Sequence, residues 1–496
     1  MAFLIGGANS AADTDFEISN SLRFNRTDSP NLSWTPASDG SQTTCTFSCW
    51  VKRSLLGSHL QPIWSTKHPT DNVNGCVLFP DAATNKFSLL IAGTDNSNFG
   101  QTSTNVFRDV SAWYHFVARI DTTQGVAANR VRLYVNNSQV TLNGSETFPD
   151  EDETCRLSND DRPHTIGEDE QDNIHFDGYV AEVAFIDGTS YAPSAFAEVD
   201  EDSGIWKPKD FKDDVTFGSN GYYLEFKETG TSQNSSGLGA DTSGNDNHFA
   251  VNNLAAIDQA TDTPQNSFCT LNPLYPATEA NFSEGNCKYI GGTTAGNGIN
   301  QMAAGTFAVS KGKWYFECKL INVASNGMVH TAIGIMSVNH PSLIGTGGAY
   351  PWTSGWVNYN HYLYTPDGTS ATGNTSSSYG SAIDEDDIVG VALDLDNDAI
   401  YYSDNGTFIN SGDPTSGSSK TNAAPNFPSD PGPWILGFNG DASSGDAAGL
   451  EYNFGGCSAF TVSSGNADAN GYGNFEYAVP SGYYAPCTKN LAKYGG

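Results

Sequence analysis

Residues 386–406 read D-D-I-V-G-V-A-L-D-L-D-N-D-A-I-Y-Y-S-D-N-G, with apolar and small or polar positions alternating along the run. Side chains on an extended chain point to opposite faces in turn, so Val389, Val391, Leu393 and Leu395 share a core face. Gly390, Ala392, Asp394 and Asp396 fall on the other, expected to be small or wet. Asp396-Asn397-Asp398 offers a tight reversal, Ile400 and Tyr402 resume the alternation, and Asp404-Asn405-Gly406 offers a second turn, which predicts a β-hairpin.

The same period recurs at 45–51, 87–92, 113–121, 130–135 and 179–186, and again at 313–318, 330–336 and 433–438. In 113–121, Tyr114, Phe116, Ala118 and Ile120 form the better core face, opposite Trp113, His115, Val117 and Arg119. No helical period is sustained beyond about three turns, and with 52 glycines the chain reads as all-β. At 496 residues it exceeds one core, which predicts two or three domains. The boundaries are an N-terminal arm at 1–20, a sandwich at 21–228, a polar wrapping linker at 229–275, a second sandwich at 276–490 and a tail at 491–496.

The net charge of −33 argues against nucleic acid, because phosphate contacts need clustered Lys and Arg. The last arginine is Arg162, so anionic ligands are disfavoured over the rest of the chain. Apolar runs fall well short of the roughly 18 residues a membrane-spanning helix needs, so no membrane insertion is expected. The start, M-A-F-L-I-G-G-A, lacks a basic n-region, and folding in the cytosol of the producing cell is expected. Of nine cysteines without Cys-x-x-Cys pairs, most read as buried reduced thiols.

The blocks W-Y-H-F-V-A-R-I-D (113–121), R-V-R-L-Y-V-N-N (130–137) and F-D-G-Y-V-A-E-V-A-F-I-D-G (176–188) resemble the laminin-G/pentraxin-like group of concanavalin-type jelly rolls. The resemblance implies two packed antiparallel sheets and, in many relatives, sugar or calcium binding at one rim. K-W-Y-F-E-C (313–318), H-T-A-I-G-I-M (330–336), the 386–406 hairpin, P-W-I-L-G-F (433–438) and Y-N-F-G (452–455) resemble, in that order, the SPRY domain, a β-sandwich binding platform. The fold expected is therefore two antiparallel jelly-roll sandwiches in tandem behind a short arm. This pairing, with D-T-S-G-N-D-N-H-F (241–249) and T-D-T-P-Q-N-S-F-C-T-L-N-P-L (261–274), also resembles virion proteins of marine tailed bacteriophages. That resemblance implies a tail fibre, appendage or head decoration on the virion surface, made in the host cytoplasm, with other virion proteins as partners through the arm. Phage fibres are often trimers, but no heptads or β-helical repeats here enforce threefold association.

Catalytic signatures are missing from the sequence: no Glu-x-Asp-x-x-Glu strand, no Gly-x-Ser-x-Gly and no His-Glu-x-x-His occurs, and no enzyme activity is expected. Glu317, inside a strand block, reads as a rim or cross-strand partner. Asp394, Asp396 and Asp398 match the first three ligand positions of an EF-hand loop, but Ala399 stands where Gly is needed and Asn405 where a bidentate Glu should close it. The acid runs at 150–153, 168–170 and 384–387 read as solvated loops. No cofactor is required; a looser calcium site could draw on Asp160, Asp161, Glu168, Asp169 and Asp172.

The leading ligand candidate is Y-P-W-T-S-G-W-V-N-Y-N-H-Y-L-Y (350–364), with Tyr350, Trp352, Trp356, Tyr359, His361 and Tyr362 among polar residues. Aromatic rings stack on the apolar faces of sugars while Asn, Ser and Thr bind hydroxyls. The function expected is recognition of a host-surface glycan or protein without catalysis. Alternatives are a decoration or connector binding only virion subunits and, more distantly, a polysaccharide depolymerase.

Overall fold

A computed structural model describes residues 4–5, 16–57, 59–66, 75–79, 84–93, 98–144, 146–169, 174–275, 281–291, 303–321, 333–339, 361–364, 368–372, 375–427, 432–439 and 449–495. The chain divides into two compact units, residues 11–265 and residues 1–10 with 266–496. Both are all-β sandwiches of antiparallel sheets, and no described helix is long and apolar enough to cross a membrane.

In the first unit, Thr44–Arg53 lies between Trp113–Asp121 and Gly178–Asp187 at the centre of one sheet. The facing sheet runs through Asn31–Trp34, His164–Ile166, Gln61–Ser65, Cys76–Phe79 and Ser88–Ala92. The alternation holds at the core: Phe116, Ala118 and Ile120 are buried between the sheets, and Phe87 stacks on Phe116 with centroids 4.2 Å apart. Each fully buried Phe or Leu contributes about 1.5–3 kcal/mol.

The opposite face of this sheet is also dry. Val117, Ala184, Ile186, Phe196, Phe211, Phe217 and Tyr223 form a second apolar cluster, because the irregular stretch 189–217 folds back over the sheet. Nearby, Lys52 pairs with Asp262 at 2.6 Å, and Asp262 also accepts from Trp113 Nε1 at 2.8 Å. Residues 229–265 wrap this same unit, where Ala250–Asn252 pairs with Asn31–Trp34 and Gln259–Ala260 with Ser21–Phe24.

In the second unit, Lys313–Ile321 and Ile388–Asp394 pair in one sheet, flanked by Gly449–Asn453 and Ala399–Asp404. The other sheet runs Leu4–Ile5, Phe307–Val309, Trp434–Asn439, Ile333–Ser337, His361–Tyr364, Thr369–Thr372 and Thr375–Ser378. Its first pairing, Leu4 with Phe307 and Ile5 with Ala308, is parallel. The 386–406 hairpin forms as the pattern predicts, with Val389, Val391, Leu393, Ile400 and Tyr402 in the core between the sheets.

The hairpin's second face is small at Gly390 and Ala392 and is covered rather than wet: Ala392 packs with Tyr315, Tyr401, Phe475 and Tyr483, and buried Asp394 pairs with Lys313 at 2.8 Å. One expectation meets a different outcome. Glu168–Asp169 is not a solvated loop but a buried strand paired with Ile174–His175, anchored where Thr165 Oγ1 donates to the Glu168 carbonyl at 2.7 Å. Near the C-terminal end, Thr488–Tyr494 is helical; Leu491 enters the core and Tyr494 stacks on Tyr484 at 3.8 Å.

Candidate functional site

The hairpin register builds one rim of the second sandwich. Asp404 pairs with Thr407 across the two-residue turn Asn405-Gly406, and Ser403 pairs with Phe408. Asn405 ties this turn to the preceding acidic loop: its Oδ1 accepts from the Ile388 amide at 3.0 Å and its Nδ2 donates to Asp387 Oδ1 at 2.6 Å. The chain then coils through Ile409–Ser411, where the Asn410 amide donates to the Tyr379 carbonyl. Tyr379 is buried at the end of the Thr375–Ser378 strand, its ring edge-on to Tyr402 and its hydroxyl donating to the Asn422 carbonyl at 3.2 Å.

Between these two stretches lies a cleft of about 670 Å³ lined by residues 378–381, 404 and 407–411. Ser378, Ser381, Thr407, Asn410 and Ser411 bring hydroxyl and amide groups, and half-buried Phe408 and Ile409 bring apolar surface. Asp404 is the acid of the lining. Its Oδ1 is sealed from solvent with no hydrogen-bond donor among the described residues, and its carboxyl is pushed up by burial and then by Asp387 and Asp384. A space of this size suits a small ligand, and its polar lining suits a polyol better than an apolar molecule.

Other buried polar groups hold structure. Glu317 lies under the 475–477 segment, where it accepts from Tyr315 Oη, Asn453 Nδ2 and the amides of Glu476 and Tyr477 at 2.8–3.2 Å. Burial raises it to about 7 against the pull of those four donors. In the first unit, Glu182 takes a hydrogen bond from Tyr223 and is raised by burial to about 8. Ser48 Oγ and His115 Nε2 sit 2.9 Å apart, a spacing that resembles a nucleophile and its base. Trp206 Nε1, however, donates to His115 Nδ1 at 3.1 Å, so the ring proton is on Nε2 and faces the serine. Burial also lowers this histidine to about 3, so it cannot accept the serine proton.

The residues singled out in sequence form no common site among the described residues. Tyr350, Trp352, Trp356 and Tyr359 lie outside the described residues, as do the side chains of His361 and Tyr362, whose backbone pairs with Met336 and Ile335. The register places Tyr362 level with Thr372 and Ser378 level with Thr369. Of the calcium candidates, Asp160 and Asp161 are exposed, Glu168 and Asp169 are buried, and Asp172 lies outside the described residues. No group of three or more potential ligands forms a metal site among the described residues. Sequence reading missed the cleft: Asp404 and Asn405 signalled a turn, and 378–381 belongs to the other sheet, brought beside 404–411 only by packing between the sheets, where Tyr379 meets Tyr402 and accepts from Asn410.

Among curated proteins none matches this chain. Similar solved structures include a heptameric SAP-like pentraxin from Limulus polyphemus, 14% identical over 36% of this chain and 80% of that one, with a TM-score of 0.26. The SPRY domain of human HERC1 is 15% identical over 35% of this chain and 89% of its own, with a TM-score of 0.25. A Bacteroides ovatus protein described as carbohydrate-binding is 13% identical over 48% of this chain and 59% of its own, with a TM-score of 0.33. Residues 26–193, most of the first sandwich, match the family model of the concanavalin A-like lectin/glucanases superfamily.

Proposed function

We propose that this is a non-catalytic glycan-recognition protein that binds saccharide in the cleft between residues 378–381 and 404–411. The observation that carries the reading is the cleft's composition: hydroxyl and amide groups beside a half-buried aromatic ring and an acid without a donor. That set matches a sugar, whose C–H face stacks on an aromatic while its hydroxyls both donate and accept. The lectin-type match over residues 26–193 lies in the other unit and supports glycan recognition by the chain rather than by this cleft. The resemblance to tailed-phage virion proteins supplies a setting, a tail fibre or appendage that engages a host-surface glycan.

The test is adsorption of the purified chain to host-type cells, and binding to a glycan array, for wild type and Phe408→Ala. The variant is expected to bind at least tenfold more weakly; because half-buried Phe408 also packs against Tyr315, Tyr401 and Phe475, it should lose about 1–3 kcal/mol of stability as well, so binding is compared at a temperature where both proteins are folded. Unchanged binding by a folded Phe408→Ala would remove the cleft as the site. A second reading, decoration of a particle through the arm, draws on the Leu4–Ile5 strand and its capacity to extend a sheet.

A further inference from the structure

The cleft has one electrostatic sign. None of its lining residues is Lys, Arg or His, and Asp404 carries its charge. Just outside, Asp387 is fully occupied: its Oδ1 takes the Asn405 amide at 2.6 Å and its Oδ2 the Asp384 backbone amide at 2.7 Å. The nearby cation Lys319 is held by Asp386 at 2.7 Å. No arginine occurs after Arg162. Asp404 is thus a half-buried carboxylate beside like charges, with neither a cation nor a donor from the described residues to offset it. Leaving such a group unpaired is costly, and a ligand that supplies a charged donor recovers that cost on binding.

We infer that the cleft selects an amine-bearing glycan, its ammonium placed on Asp404 and its hydroxyls on Ser378, Thr407 and Asn410. This rests on the reading of the cleft as a saccharide site and adds the ligand's charge to it. A carboxylate rotates readily about its terminal torsion, so either oxygen can meet the incoming N–H. An ammonium offers three donors, one for Asp404 and two for neighbouring hydroxyl or carbonyl oxygens, and a charge-assisted bond is stronger than a neutral one. Acidic sugars are repelled by the same carboxylate.

The experiment is calorimetric titration of the full chain, in mildly acidic buffer where the sugar amines are protonated, with a glucosamine tetramer and with its fully N-acetylated counterpart. The pair shares ring stereochemistry and linkage and differs in the amine charge. The amine-bearing tetramer is expected to bind at least tenfold more tightly. In Asp404→Asn, checked for an unchanged thermal midpoint, the ratio should fall to near one. Glu201→Gln removes an equal charge at an exposed position of the other unit, so it reports general attraction to an acidic protein and should keep the wild-type ratio. Equal affinities in wild type, or a preference that survives Asp404→Asn, would overturn the inference. So would a tetralysine peptide that binds as tightly and loses as much in Asp404→Asn, which would make the site a peptide site. If neither tetramer binds, the amine assignment fails while Phe408-dependent adsorption still judges the glycan reading separately.

Discussion

At the scale of single residues, both units hold a glutamate in a dry setting on a sheet, Glu182 and Glu317. Glu317 fastens the 475–477 segment with four hydrogen bonds. Its carboxyl stands at about 7 in the fold against 4.5 ordinarily. Because the folded state binds this proton more tightly, the contribution is fully present below about 4.5 and is lost as pH rises through about 7. The stability advantage of wild type over Glu317→Gln should therefore shrink across that window by up to about 3 kcal/mol. Scanning calorimetry of both proteins at several pH values measures it, and a constant difference would contradict the assignment. Sequence reading placed Glu317 in a strand but could not see the cover. A carboxylate's burial depends on the segment that lands on it, here 160 positions along for Tyr477.

At the scale of elements, the 388–404 hairpin was legible because two local signals agree, period-two alternation and turn chemistry. Asn405-Gly406 supplies positive φ at both central positions, +45° and +80°, as a two-residue hairpin turn of this hand requires. Gly406 is also a close approach, since a Cβ there would lie 2.5 Å from Tyr477 Cδ1. Gly406→Ala is expected to cost roughly 1–3 kcal/mol and to weaken ligand binding, because Thr407 and Phe408 follow directly. Chemical denaturation and the glycan array measure the two effects, and an Ala variant unchanged in both would sink the argument. What was not legible is the irregular cover over each outer face. Phe196, Phe211 and Phe217 follow no period, so nothing local shows that they seal Val117 and Tyr223. For the same reason His115, on the lesser core face, and Asp394, on the face read as small or wet, are both buried without a local sign of it.

At the scale of the whole chain, residues 1–10 belong with the second unit although the first unit follows them in sequence. Leu4–Ile5 covers one side of Phe307–Val309, whose other side pairs with Trp434–Asn439. An uncovered strand edge offers free amides and carbonyls to any other strand. A chain starting at Ala11 should therefore keep both sandwiches folded, since only two residue pairs are lost, but should associate as its concentration rises. Light scattering across a concentration series measures this, and a monomer throughout would contradict it. If the arm docks the protein on a particle, the same truncation should also abolish incorporation.

Among the described side chains, eight of the nine cysteines are buried and in no disulfide, Cys45, Cys49 and Cys155 in the first unit and Cys269, Cys287, Cys318, Cys457 and Cys487 in the second. Their concealment also turns them into reporters: an alkylating reagent can reach them only when the surrounding strands part. Mapping which peptides gain label first, under mild denaturant, would resolve the opening of each sandwich from the same sample without a single engineered probe.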